Sequence, residues 1–180
     1  MKITRKTFLK KSFLTALGVG MAPKIFSLTS KSKPALKKRF LGKTGIEVTA
    51  LGFGASRTQE HSVLRAAIDK GITFLDTGRS YANGENEVMV GEVLTGRRNQ
   101  FVIQSKMKVD LDEGKASAQD IRNQMETSLE ESLKALQTDY IDVMLLHGIR
   151  KKEYIHNETI RKIFTEMKKR GTIRAFGFSS

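Results

Sequence analysis

Residues 101–147 read FVIQSKMKVDLDEGKASAQDIRNQMETSLEESLKALQTDYIDVMLLH, and they hold one complete strand–helix–strand unit. Phe101–Lys106 is a β-branched and aromatic run of strand length. Ser117-Ala118-Gln119-Asp120 has the form of a capping box. It opens a helix whose Ile121, Met125, Leu129, Leu133 and Leu136 recur at steps of 4, 4, 4 and 3. Tyr140–His147 is the second strand. Two strands joined through a helix, with no tight turn between them, are expected to run parallel.

The same texture continues on both sides. Ala50–Gly54, Ile72–Asp76 and Ile173–Ser179 read as further strands. Val63, Leu64, Ala67 and Ile68 mark a helix closed by Gly71, and Val88, Gly91, Glu92 and Leu94 mark a short one after the Asn83-Gly84 turn. Asn157 is placed to cap a helix with Ile160, Ile163, Phe164 and Met167 on one side, ending in Lys168-Lys169-Arg170 and Gly171. Upstream, Arg39–Leu41 and Ile46–Val48 flank Gly42-Lys43-Thr44-Gly45, a hairpin signal. Repeated βα units allow an open doubly wound sheet or a closed (β/α)₈ barrel. The open dinucleotide-binding sheet calls for G-x-G-x-x-G at its first turn. Here that turn is Gly52-Phe53-Gly54-Ala55-Ser56-Arg57, without the third glycine. The reading is α/β, a (β/α)₈ TIM barrel. A full barrel takes about 250 residues, so only the first four to five βα units are expected in this chain.

Composition bounds the function. The 180 residues include 32 Lys+Arg and 19 Asp+Glu, a net charge of +13, and no Cys. No disulfide framework, thiolate nucleophile or cysteine-ligated metal is available. Residues 1–40 hold 11 Lys/Arg and no acid, leaving 21 against 19 in the rest. A nearly neutral body argues against a nucleic-acid partner, which would need basic surface on the folded domain. Within residues 1–30, Lys2, Arg5, Lys6, Lys10 and Lys11 precede an uncharged stretch from Ser12 to Pro23. That is the build of an export signal, too short to span a bilayer. Thr4-Arg5-Lys6-Thr7-Phe8-Leu9-Lys10 resembles the twin-arginine motif with Lys6 in the second arginine's place. The expected organisation is a signal-like segment at 1–30, a basic linker at 31–38 and a partial barrel at 39–180. The expected location is exported or periplasmic, with transient contact with the export machinery.

The strand ends carry the chemistry. Asp76, Lys106, His147 and Ser179 each follow an apolar run, where a barrel wall gives way to the face on which catalytic groups gather. Tyr81 lies five residues past Asp76. His61 and His156 are expected at the surface, and Asp139 and Asp142 at the base of their strand. Ser179, His147 and Asp76 could be drawn as a hydrolase triad, but no G-x-S-x-G elbow accompanies them. Lys106 could also serve a Schiff-base lyase.

With these residues in place, the sequence resembles the aldo-keto reductases. The resemblance rests on FLGKTGIEVTALGFGA, GITFLDTGRSYANGENEVMVGEVL, FVIQSKM, SLEESLKALQTDYIDVMLLHG and MKKRGTIRAFGFSS. It implies a catalytic tetrad of Asp76, Tyr81, Lys106 and His147, with Tyr81 as proton donor, Lys106 beside it favouring the phenolate, Asp76 holding Lys106, and His147 orienting the carbonyl. It implies NADP (or NAD) as cofactor, with Gly52 and Gly54 at its approach. It further implies Ser179 and Ser180 at the position of the family's Ser-Asn pair, Ser180 standing where asparagine is usual. A small aldehyde or ketone is the implied substrate. The alternative is a non-catalytic, nucleotide-binding or regulatory member of the same fold. Unpaired edges of a partial barrel would favour self-association.

Overall fold

The structure is a computed structural model that describes residues 35–111 and 114–180; the signal-like segment lies outside them, as does the first half of the basic linker. A hairpin of β1 (Lys38–Phe40) and β2 (Glu47–Thr49) comes first, with Lys38 opposite Thr49. Then follow β3 (Gly52–Gly54), α1 (His61–Asp69), β4 (Phe74–Asp76), α2 (Glu85–Leu94), β5 (Val102–Met107) and α3 (Ala118–Ala135). The chain ends with β6 (Ile141–Leu146), α4 (Lys152–His156), α5 (Glu158–Arg170) and β7 (Ile173–Phe178). Strands β3 to β7 form one parallel sheet in chain order. A doubly wound sheet reverses its strand order at a switch point; none of the described strands does so.

Side chains alternate across each strand, so the register sorts them into two faces. Phe74, Val102, Val143, Leu145 and Ala175 share one face, and Ile46 and Val48 of the hairpin pack on it. The other face (Leu75, Ile103, Met144 and Leu146) meets the helices through Leu64, Met89, Met125, Leu129, Ile163 and Phe164. The capping box at Ser117 forms with both of its hydrogen bonds, and Asn157 Oδ1 accepts from Ile160 N at 3.0 Å. Gly171 ends α5 at a φ of 82°, which suits a residue without a Cβ.

Three sequence expectations shift. The first two sheet strands begin two residues late, because Thr49 Oγ1 takes the N–H groups of Thr73 and Phe74 that a longer β4 would have used. Helix α2 does not show the stripe expected of it. Glu92 faces outward to His61, whereas Asn86, Glu87, Met89, Val90, Gly91, Val93 and Leu94 are buried. The cause is that neighbours cover α2 on more than one side. A Cβ on Gly91 would stand 2.5 Å from the Ala135 carbonyl oxygen at the end of α3. Helix α4 was not anticipated, being five residues long and without a readable period.

Candidate active site

Asp76 is the last residue of β4, Lys106 lies one before the end of β5, and His147 directly follows β6. Asp76 pairs in register with Gln104, and Lys106 with Leu145. Steps of two from those pairs put Asp76, Gln104, Lys106 and His147 on the same face as the Phe74–Val143 cluster, at the carboxyl ends of the strands. Lys106 Nζ donates to Asp76 Oδ1 at 2.6 Å and to the Thr77 carbonyl at 2.8 Å. It also lies over the Tyr81 ring, 5.0 Å from its centroid. The Tyr81 and His147 rings meet edge to face with centroids 5.6 Å apart. The four residues implied by the resemblance are thus brought together.

The loop carrying Tyr81 is held under constraint. The backbone kinks within Tyr81–Gly84, where Ala82 and Asn83 take left-handed φ values of 48° and 54°. Gly84 follows at 95°, and a Cβ there would collide with the guanidinium of Arg79. That guanidinium donates to Glu87 Oε2 at 2.7 Å and to the Asn83 carbonyl at 3.3 Å. Glu87 is fully buried and also accepts from Ser105 Oγ at 2.6 Å. Burial pushes the Glu87 carboxyl upward, opposed by the hydrogen bond from Ser105 and by Arg79. Asn86 Nδ2 ties the same turn of α2 to the carbonyls of Ala55 and Thr58.

His147 is held below the usual histidine range, first by burial and then by the Lys106 and Lys108 charges, with Asp76 opposing. Its Nδ1 lies 3.3 Å from Ser80 Oγ. Gln104 Nε2 donates to Asp76 Oδ1 at 2.6 Å. Sequence reasoning missed Ser80, Gln104, Arg79 and Glu87 as parts of the site. Gln104 was legible as a polar residue two before Lys106 on the same face; Ser80 carried no such signal.

Gly54 stands opposite Asp76, and a Cβ there would meet nothing within 4 Å, so the floor beside Asp76 is open. Gly52 has a packing reason instead: its Cβ would lie 2.9 Å from the Phe74 ring. Ser179 and Ser180 follow β7 beside His147; Ser179 Oγ accepts from Gly148 N at 3.4 Å, and its carbonyl accepts from Ile149 N at 2.8 Å. The triad arrangement is not formed, since Asp76 pairs with Lys106 and the His147 ring with Ser80. Asp142 lies at the base, buried between Arg98 and Arg174 at 2.8 and 2.6 Å.

Known proteins resemble this chain in sequence and fold. Residues 49–180 match the aldo/keto reductase family. An uncharacterized oxidoreductase of Bacillus subtilis, YqkF, is 33% identical over 152 residues, covering 81% of this chain and 49% of that protein. The methylglyoxal reductase YeaE of Escherichia coli is 35% identical over 126 residues, covering 70% and 40%. Among solved structures, the holo form of aldo-keto reductase AKR11C1 from Bacillus halodurans superposes with a TM-score of 0.69 at 34% identity, covering 81% of this chain and 50% of that one. A Klebsiella pneumoniae aldo-keto reductase in complex with NADPH gives 0.61 at 32%, covering 74% and 46%. The chain spans about half the length of the curated relatives it matches. With Asp76, Tyr81, Lys106 and His147 gathered at the strand ends of a parallel sheet, the chain belongs to the aldo/keto reductase family.

Proposed function

We propose that this chain provides the catalytic wall of an NADP(H)-dependent carbonyl reductase built on a (β/α)₈ barrel. The observation that carries the reading is the contact set around Lys106, which joins Asp76 by a 2.6 Å hydrogen bond to the face of Tyr81. Similarity to a structure solved with NADPH favours that cofactor. The open floor at Gly54 and the paired hydroxyls of Ser179 and Ser180 suit a nicotinamide carboxamide, although a serine hydroxyl offers less than the two-sided amide of asparagine. A bound reduced nicotinamide supplies hydride. As the carbonyl carbon gains it, the C=O electron pair collects on oxygen, and Tyr81 Oη delivers a proton there. The Lys106 ammonium steadies the negative charge left on the phenol oxygen. Asp76 and the Thr77 carbonyl hold Lys106 in place, with the ammonium buried and the carboxylate partly open to solvent. In the tautomer in which Ser80 Oγ donates to Nδ1, 3.3 Å away, neutral His147 carries its proton on Nε2 and can offer it to the carbonyl oxygen.

The test is carbonyl-dependent oxidation of NADPH by the protein purified from its own host. Tyr81→Phe keeps the ring and its packing and deletes the proton. It should lower kcat by about 10²–10⁴-fold and leave cofactor affinity nearly unchanged. A raised KM with kcat intact would defeat the mechanism, and nucleotide binding without turnover would favour the non-catalytic reading.

Residues 1–30 are proposed as an export leader, on the charge and apolar pattern alone. A reporter fused behind them should leave the cytosol, and Arg5→Gln should retain it if the twin-arginine route is used. A cytosolic reporter behind the native leader would end the proposal.

A further inference from the structure

Beyond His147 the mouth opens into a cavity of about 460 Å³, within the range of small-ligand sites. The loops after β5 and β6 build it, together with Tyr154 of α4. Its wall includes Lys108, Arg150 and Lys151 and, among the described residues, no acidic residue. All three cations are exposed, and none makes an ion pair among the described residues. Several arginines elsewhere are paired. Arg79, Arg98, Arg122, Arg170 and Arg174 each face a carboxylate. The body beyond residue 40 is also nearly neutral. Three unpaired cations thus gather around one concavity beside His147. Such a concavity focuses positive potential on whatever enters it. His147 is part of the same wall, so an anion held there lies a short carbon chain from the oxygen to be protonated.

Resting on the carbonyl-reductase reading above, we infer that this cavity holds the anionic end of the substrate. The aldehyde or ketone carries a carboxylate or phosphate group, received by Lys108, Arg150 and Lys151. A nucleotide phosphate has the same charge, so the experiment separates the two sources.

Two matched probe pairs are used: 4-oxobutanoate with butanal, and glyceraldehyde 3-phosphate with glyceraldehyde. Binding of each to the full chain is followed by the amide NMR shifts of Gly148 and Ile149, without cofactor. At least one anionic probe should give saturable shifts that its neutral partner does not. The Lys108→Gln/Arg150→Gln/Lys151→Gln variant should weaken that binding at least about fivefold, as three solvent-exposed ion pairs together support. High salt should weaken it too. Carboxylate and phosphate probes tell which group is preferred. No saturable shift with either, or shifts indifferent to the variant, would overturn the inference. So would shifts produced by NADP⁺ alone, which would assign the cations to the cofactor. In turnover, the anionic-to-neutral ratio of kcat/KM should exceed one and fall toward one in the variant. A merely structural defect lowers both rates and leaves the ratio. Anion binding with no turnover of any carbonyl would sink the reductase reading and leave the anion site standing.

Discussion

Lys106 is 6% exposed, yet its ammonium makes two hydrogen bonds, faces an aromatic ring and sits near enough to His147 to lower that group's proton affinity. A buried cation is tolerated when a carboxylate and further acceptors meet it, and Asp76 and the Thr77 carbonyl do so here. One consequence reaches His147, held below its unfolded value by burial, Lys106 and Lys108. A histidine with a depressed folded pKa contributes stability above the unfolded value of about 6.5, and this is lost as pH falls through the folded value. In that window the unfolded chain binds the proton and the folded chain resists it. Wild type should therefore lose stability relative to His147→Gln between pH 7 and pH 5. Urea unfolding of both proteins at fixed concentration measures the gap. A gap that stays constant or widens toward acid would mean that His147 protonates freely in the fold.

At the level of elements, α2 sets the position of Tyr81. Its first turn binds Arg79 through Glu87 and the β3 loop through Asn86, and its Gly91 lets the end of α3 approach. Gly91→Ala would place a methyl 2.5 Å from a backbone oxygen, where neither helix can yield without shifting. Overpacking of this kind costs about 1–3 kcal/mol, and here it would also tilt α2 and its grip on Arg79. The variant should unfold at lower urea and, in the assembled enzyme, lose kcat along with stability. An unchanged melt would show that the two helices separate freely. This contact also marks the limit of sequence reading. The strands were legible because each apolar run ends in a polar residue, and α3 and α5 because each has one covered stripe and a capping residue. Helix α2 was not, since burial on several sides erases periodicity. Ser80 was not, since its meeting with His147 joins residues 67 apart. Asp76, Lys106 and His147 could be read because strand register alone brings them together.

The whole sheet poses a problem of edges. Strand β3 pairs only with β4, and β7 only with β6, among the described residues. The β7 edge is the longer, at six residues, and Phe176 and Phe178 on it are 39% and 53% exposed. Phe176 stacks on Phe164 at 5.0 Å but remains partly open. Beside it runs an apolar groove lined by Leu146, Tyr154, Ile160, Phe164 and Phe178. An unpaired strand with apolar flanks is a template for another strand. The 180-residue chain, prepared alone, should therefore self-associate through β7. Sedimentation should give a mass that rises with concentration in the micromolar range. Phe176→Lys with Phe178→Lys should shift it toward monomer, because charged side chains on an edge strand oppose pairing at little cost when exposed. The double variant leaves the fully buried Leu75, Ile103 and Met144 untouched, so a cooperative melt should persist. If the unaltered chain proves a monodisperse monomer that melts cooperatively and binds no hydrophobic dye, the open edges are harmless and self-association is wrong.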